Sequence, residues 1–219
     1  MLRDTFLPRA LARVWPGALW RGPQRDAEGR PLLYLTVDDG PDPAGTPQWL
    51  DVLDRHDARA LVFLSGPAVA AHPALARAVR AVGHRVGTHG GPHVSAWRTP
   101  PGRFLDGVDR AARELEAVLG ERVADVRPPY GRVTPGLVRW ARTTGRRVVL
   151  WDLLPGDYLP SVAPAELADR LVRWARPGSV AVLHDGAAAA RATAALDAAL
   201  PRLAAAGWRF PALPPPALC

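Results

Sequence analysis

Seven short apolar runs recur along the chain, at residues 32–37, 60–64, 85–88, 123–127, 147–152, 180–184 and 208–210. They are rich in Val and Leu and bounded by turn residues, the pattern of strands buried in a parallel sheet. Helical patterns fill the intervals. Thr46-Pro47 offers a capping residue and a proline at a helix start, and Thr134-Pro135 repeats the signal before a helix that Gly145 closes. Across residues 103–119, Phe104, Val108, Ala112, Leu115 and Leu119 form one apolar stripe at three- to four-residue spacing, ended by Gly120. A further helix stops at Pro177-Gly178, and an alanine-rich one spans residues 187–206. This alternation predicts an α/β fold with parallel strands in a single domain, and on the pattern alone it suits a barrel or a doubly wound open sheet.

Charge and cysteine content narrow the function. Lysine is absent, so all 28 basic residues are arginine, and the formal net charge is +7. The arginines are spread at helical spacings among alanines, with no basic block and no aromatic-basic interleaving, so we expect solvated helix faces and no nucleic-acid partner. The single cysteine, Cys219, excludes an intrachain disulfide and a cysteine-based zinc site. Residues 1–30 read as a basic amphipathic segment packed on or flanking the domain, and residues 1–20 could also contact a membrane surface peripherally. With no apolar run of ~20 residues and no signal-peptide pattern, the expected location is cytoplasmic or peripheral at the inner membrane face. Residues 31–213 read as the domain proper and 214–219 as a proline-rich tail outside the core. We expect a monomer.

Ionisable residues collect where the runs end. Asp38-Asp39 precede Gly40-Pro41, a breaker that can bring adjacent carboxylates into one site. One could bind a metal while the other moves a proton. His89 and His93 flank Gly-Gly-Pro; with one carboxylate they form a two-His, one-carboxylate set suited to zinc or another divalent ion. Alone, they are two histidines in a polar loop. Arg127 is followed by two prolines without N–H groups, so the first free backbone donors are Tyr130 and Gly131, on a sharp turn that can hold an oxyanion. Trp151, Asp152, Asp157 and Tyr158 follow the fifth run and His184-Asp185 the sixth. Parallel α/β folds build their sites at such strand ends.

The ordered set Thr36-Val37-Asp38-Asp39-Gly40-Pro41, His89-Gly90-Gly91-Pro92-His93, Arg127-Pro128-Pro129-Tyr130, Asp157-Tyr158 and Leu183-His184 resembles the five motifs of the polysaccharide deacetylases, the NodB-homology family or carbohydrate esterase family 4. The resemblance spans residues 32–210. It implies a distorted (β/α)7 barrel and metal-dependent removal of N-linked acetyl groups from an N-acetylglucosamine-containing glycan of peptidoglycan or chitin type. Asp39, His89 and His93 would bind the metal, zinc first, with cobalt or another divalent ion as alternatives. Asp38 would be the general base, Arg127 its positioning partner, and the Tyr130 N–H an oxyanion donor. His184 would be the general acid, tuned by Asp157, with Tyr130, Trp151, Tyr158 and Leu183 lining the substrate pocket. Three positions depart from the pattern: Val37 for Phe, Gly90 for Ser or Thr, and Tyr158 for Trp. Loss of the Gly90 side chain is expected to loosen the metal loop. The same chemistry on a formamido sugar or cyclic imide, and a non-catalytic carbohydrate-binding derivative, are the other readings.

Overall fold

The computed structural model describes residue 15 and residues 17–216. Its sheet has seven strands: β1 (Ala18–Leu19), β2 (Leu33–Asp38), β3 (Ala60–Leu64), β4 (Arg85–Thr88), β5 (Asp125–Val126), β6 (Arg147–Val149) and β7 (Ser179–His184). The order is β1-β6-β5-β4-β3-β2-β7, and every paired strand is parallel. The described helices are α1 (Thr46–Arg55), α2 (Gly66–Ala71), α3 (Pro73–Ala81), α4 (Pro101–Leu119), α5 (Pro135–Thr143), α6 (Pro164–Trp174) and α7 (Ala189–Ala205).

Alternation along β2 explains the two layers of core. Leu33, Leu35 and Val37 face outward into the main cluster with helix residues such as Trp49, Leu53 and Leu196. Leu32 and Tyr34 face inward with Leu61, Phe63, Val149 and Val180. Both faces are dry, so the strand reads as an unbroken apolar run. Continuing inward at the strand's C-terminal end, Thr36 and then Asp38 point into the barrel mouth.

The barrel closes without a full ladder between β1 and β7. Arg21 forms an antiparallel bridge with Ser179, and Leu153 a parallel one with Ala181. The outward amides of β7 are satisfied one by one: Val180 N–H donates to the Asp152 carboxylate at 2.8 Å, Val182 N–H to the Leu153 carbonyl at 3.0 Å, and His184 N–H to the Asp157 carboxylate at 2.7 Å. Two aspartates thus replace peptide carbonyls that a neighbouring strand would supply. Asp152 also pairs with Arg21 at 3.1 Å and accepts from the Ser179 hydroxyl, so it serves closure and not the site.

Several expectations change. Residues 208–210 form no strand; Arg209 makes one bridge to Leu32, and the stretch seals the base of β2 through hydrogen bonds of Leu33 N–H and Arg209 N–H. The seventh strand is instead Ala18–Leu19, inside the segment read as packed on or flanking the domain. It pairs with β6, while Trp15 and Trp20 pack on the adjoining core. The domain therefore begins earlier than residue 31. At the other end, Leu213 is fully buried inside the barrel, and the carbonyls of Leu213 and Pro214 accept from Arg85 and Arg147 at 2.6 and 2.8 Å. Arg85 and Arg147 also grip the buried Asp125, which fixes the chain end to the barrel floor. The expected contacts of residues 1–14 and the remote tail at 217–219 lie outside the described residues. No helix among the described residues is long and apolar enough to cross a membrane.

Candidate active site

Asp38 ends β2 with its side chain inside the barrel, and only 2% of the residue is exposed. Burial of a carboxylate demands a partner. Arg127, fully buried just past β5, provides it: one terminal nitrogen donates at 2.7 Å to both Asp38 Oδ1 and Thr36 Oγ1. The rest of the guanidinium is equally constrained. Its Nε donates to the Val149 carbonyl at 3.2 Å and its other terminal nitrogen to Leu150 at 2.9 Å, while Phe63 and Trp151 flank its plane. Sequence reading missed Thr36, although a hydroxyl two residues before Asp38 on the same strand face is a usable signal.

Asp39 breaks away from the strand. Its φ of 77° lies in the left-handed region, which Asp tolerates better than most residues. The turn carries its carboxylate to the opposite wall, where Oδ1 stands 3.5 Å from His89 Nε2 and 3.4 Å from His93 Nε2. Donor atoms of Asp39, His89 and His93 all lie within 4.8 Å of one another. A tetrahedral ion with bonds of ~2.0–2.2 Å needs donors roughly 3.3–3.6 Å apart. The carboxylate-to-imidazole spacings match that edge, so the residues fit a divalent metal of the zinc kind. Burial lowers the pKa of His89, outweighing the nearby Asp38 and Asp39 charges, a direction that favours the neutral, ligating form of the ring. Its Nδ1 is buried with no hydrogen-bond partner among the described residues.

The histidine loop is anchored despite the missing hydroxyl at residue 90. Gly90 adopts φ 86°, a conformation that penalises Ser and Thr. Gly90 N–H donates to Thr88 Oγ1 at 3.1 Å, and its carbonyl accepts from Gly66 N–H at 2.9 Å. The backbone thus supplies the order expected of a side chain.

The His184 side is assembled by β7. His184 Nδ1 lies 3.0 Å from Asp157 Oδ1. Asp157 is fully buried and is itself held by Arg191, whose Nε and terminal nitrogen donate to the Asp157 carbonyl at 3.0 and 2.8 Å. Burial alone would lower the His184 pKa; the Asp157 hydrogen bond and charge outweigh it, and the net shift is upward. The turn after the prolines sorts the two backbone donors. Gly131 N–H is spent on the Pro128 carbonyl at 3.0 Å, while Tyr130 N–H has no backbone acceptor among the described residues. Tyr130 sits at φ 61°, and its ring lies 4.6 Å from that of His93. Tyr158 meets His184 edge-on at 5.6 Å. Trp151 is half-buried behind the turn, where it abuts Gly131 and Arg127.

Leu183 requires correction. It is fully buried in the outer core with Val37, its register partner, and faces the helices. Neighbouring residues on a strand point to opposite faces. Val182, in register with Thr36, shares the parity of His184 in Leu183's place.

Asp185, the residue after His184, has a different task. Its carboxylate accepts from Thr46 Oγ1 and, at 2.8 Å, from its neighbour Gly186 N–H. Its own N–H donates to the Asp38 carbonyl at 2.9 Å. Thr46 therefore does not cap α1 with its side chain, as the sequence suggests; it ties the loop carrying Asp39 to the end of β7.

Comparison with known proteins agrees with this geometry. The family model described as "Polysaccharide deacetylase" matches residues 25–149. A chitooligosaccharide deacetylase of Bradyrhizobium sp. is 34% identical over 163 residues, covering 74% of each chain. A peptidoglycan-N-acetylglucosamine deacetylase of Bacillus cereus is 32% identical over 183 residues, covering 82% of this chain and 84% of the relative. The crystal structure of the Bc1960 peptidoglycan N-acetylglucosamine deacetylase superposes with a TM-score of 0.85 at 27% identity, over 94% of this chain and 95% of that one. With the motif residues gathered at one barrel mouth and the family model covering more than half the sequence, the chain belongs to the polysaccharide deacetylase family.

Proposed function

We propose that the chain hydrolyses the N-acetyl group of an N-acetylglucosamine-containing glycan, releasing acetate and a free amine. The observation that supports this reading is a buried, arginine-paired carboxylate, a two-His, one-carboxylate set and a carboxylate-backed histidine around one opening. An amide is a poor electrophile with a poor leaving group, so hydrolysis needs carbonyl polarisation, an activated water and an acid. Asp39, His89 and His93 would hold a divalent ion, zinc in our reading, which when bound polarises the carbonyl and makes water more acidic. Asp38 takes the proton from the attacking water, and Arg127 with Thr36 fixes the direction of its free oxygen. The Tyr130 N–H faces the developing oxyanion. His184, its ring fixed through Nδ1 by Asp157, gives a proton to the departing nitrogen. Tyr130 and Tyr158 border the sugar. Every one of these groups comes from one chain, so a monomer suffices. The test is amine release from chito-oligosaccharides and peptidoglycan fragments with zinc or cobalt added. Absence of amine from any N-acetylated sugar, with one ion bound per chain, would refute the proposal.

A further inference from the structure

Six large hydrophobic residues of the described chain are exposed, and five of them lie on loops at the barrel mouth: Val94, Trp97, Tyr130, Tyr158 and Leu159. Exposed apolar groups concentrated in one place mark a binding surface. Trp97 is 65% exposed, yet its indole N–H is pinned to the Val133 carbonyl at 2.9 Å, so its ring plane is fixed. Between Trp97 and Tyr130 stands Arg132. Its guanidinium carbon is 5.3 Å from the Trp97 ring centroid and 5.1 Å from that of Tyr130. Its only polar partner among the described residues is the buried Ser95 hydroxyl, at 2.6 Å. The contrast with Arg127 is informative: that guanidinium has spent its donors inside the barrel, whereas Arg132 is held rigidly with most of its fork unused. Since the Tyr130 ring touches His93, the Trp97–Arg132–Tyr130 shelf continues directly from the reacting centre. A cavity of about 310 Å³ on the same loop, lined by Gly90, Pro92, Arg98, Arg103, Phe104 and Pro129, adds positive charge to this side.

Aromatic faces suit the apolar faces of sugar rings, and an unused arginine fork suits a carboxylate. We propose that Arg132 binds a carboxylate carried by the sugar next to the one deacetylated, so the site prefers an acidic glycan to a neutral chitin-like one. Peptidoglycan alternates N-acetylglucosamine with a sugar bearing an O-linked lactic acid, which supplies that group either directly or through its peptide. This inference rests on the deacetylase reading and narrows its substrate.

The test uses the metal-loaded protein and an alternating tetrasaccharide whose glucosamine residues are already deacetylated, so that no turnover occurs. Equilibrium titration compares the free lactyl acid with its methyl ester. We expect the acid to bind about tenfold more tightly or better, and Arg132→Gln to bring the ratio to about one. Arg103→Gln should leave the ratio unchanged. For wild-type protein alone, the preference should fade at about 1 M salt, where screening acts within ~3 Å. A wild-type ratio near one, a ratio that survives Arg132→Gln or high salt, or a collapse caused by Arg103→Gln would each overturn the proposal. A third ligand, with the lactyl group amidated by a stem dipeptide, identifies the source. Binding as tight as the free acid assigns the peptide carboxylate, and binding as weak as the ester assigns the lactyl one. Failure to release amine from both chitotetraose and the N-acetylated form of the alternating tetrasaccharide, measured in parallel, would count against the deacetylase reading and leave the carboxylate preference standing.

Discussion

Asp38 lies inside the barrel against Arg127, while the neighbouring Asp39 turns out to meet two histidines with 39% of its side chain exposed. One turn of backbone therefore gives the adjacent carboxylates separate partners, and we propose separate duties. Asp39→Asn should weaken zinc binding beyond the about 10–100-fold that outer-shell changes cost, while Asp38→Asn should keep zinc and lose about 10²–10⁴ in turnover. Calorimetric titration with zinc, paired with amine release, checks both; equal loss of metal in the two variants would contradict the division. His184 gives a pH prediction. Its raised folded-state pKa keeps the ring protonated further into the alkaline range than a free imidazole of 6.5. The associated stability is complete below that ordinary value and is lost as pH rises through the folded one. Asp157→Asn should shift the alkaline limb of kcat to lower pH and reduce stability more in mild acid than in base, measured by pH–rate profiles and urea unfolding. The aspartates and histidines were legible because their chemistry shows in residue type. The Leu183 assignment failed because a motif names a position and does not say which strand face it occupies.

The element scale is governed by loops tied across the barrel mouth. Asp185 and Thr46 join β7 to the β2–α1 connection, and the same connection carries Asp39. Thr46→Val removes a donor to a buried carboxylate and an acceptor for Asp42 N–H at 2.9 Å. The expected cost is about 1–3 kcal/mol, with weaker zinc binding, and Thr46→Ser should restore both. Chemical denaturation and metal titration read the two effects separately. In the sequence Thr46 looked like a cap because Thr-Pro before a helix normally is one. The competing partner sits 139 residues away, beyond the reach of local pattern. Thr134 met no such competitor and does cap α5, accepting from Leu137 N–H at 3.2 Å. For the same reason strand positions were readable from apolar runs, whereas the two-residue β1 carries too little periodicity to announce itself.

At the scale of the molecule, alternation alone left barrel and open sheet undecided, because closure depends on bridges between distant segments. The floor of the barrel is completed by the chain end, with Leu213 inside and Arg85 and Arg147 holding its backbone. Leu213→Ala should cost about 2–5 kcal/mol, the usual range for a buried leucine, and lower the thermal midpoint with little effect on zinc affinity. A change confined to the noise of the melt would place Leu213 outside the cooperative core. The carboxylates that cap the outer edge of β7 have a consequence for amide exchange. Asp39 and the two histidines hang from strands locked by ladders on both sides, but His184 hangs from a strand whose other edge is held by two aspartates and one carbonyl. The Val182 amide should therefore exchange with solvent deuterium faster than amides of β3, measured by native-state exchange. Asp39 and the two histidines are thus expected on the part of the barrel that opens last, and His184 on its seam.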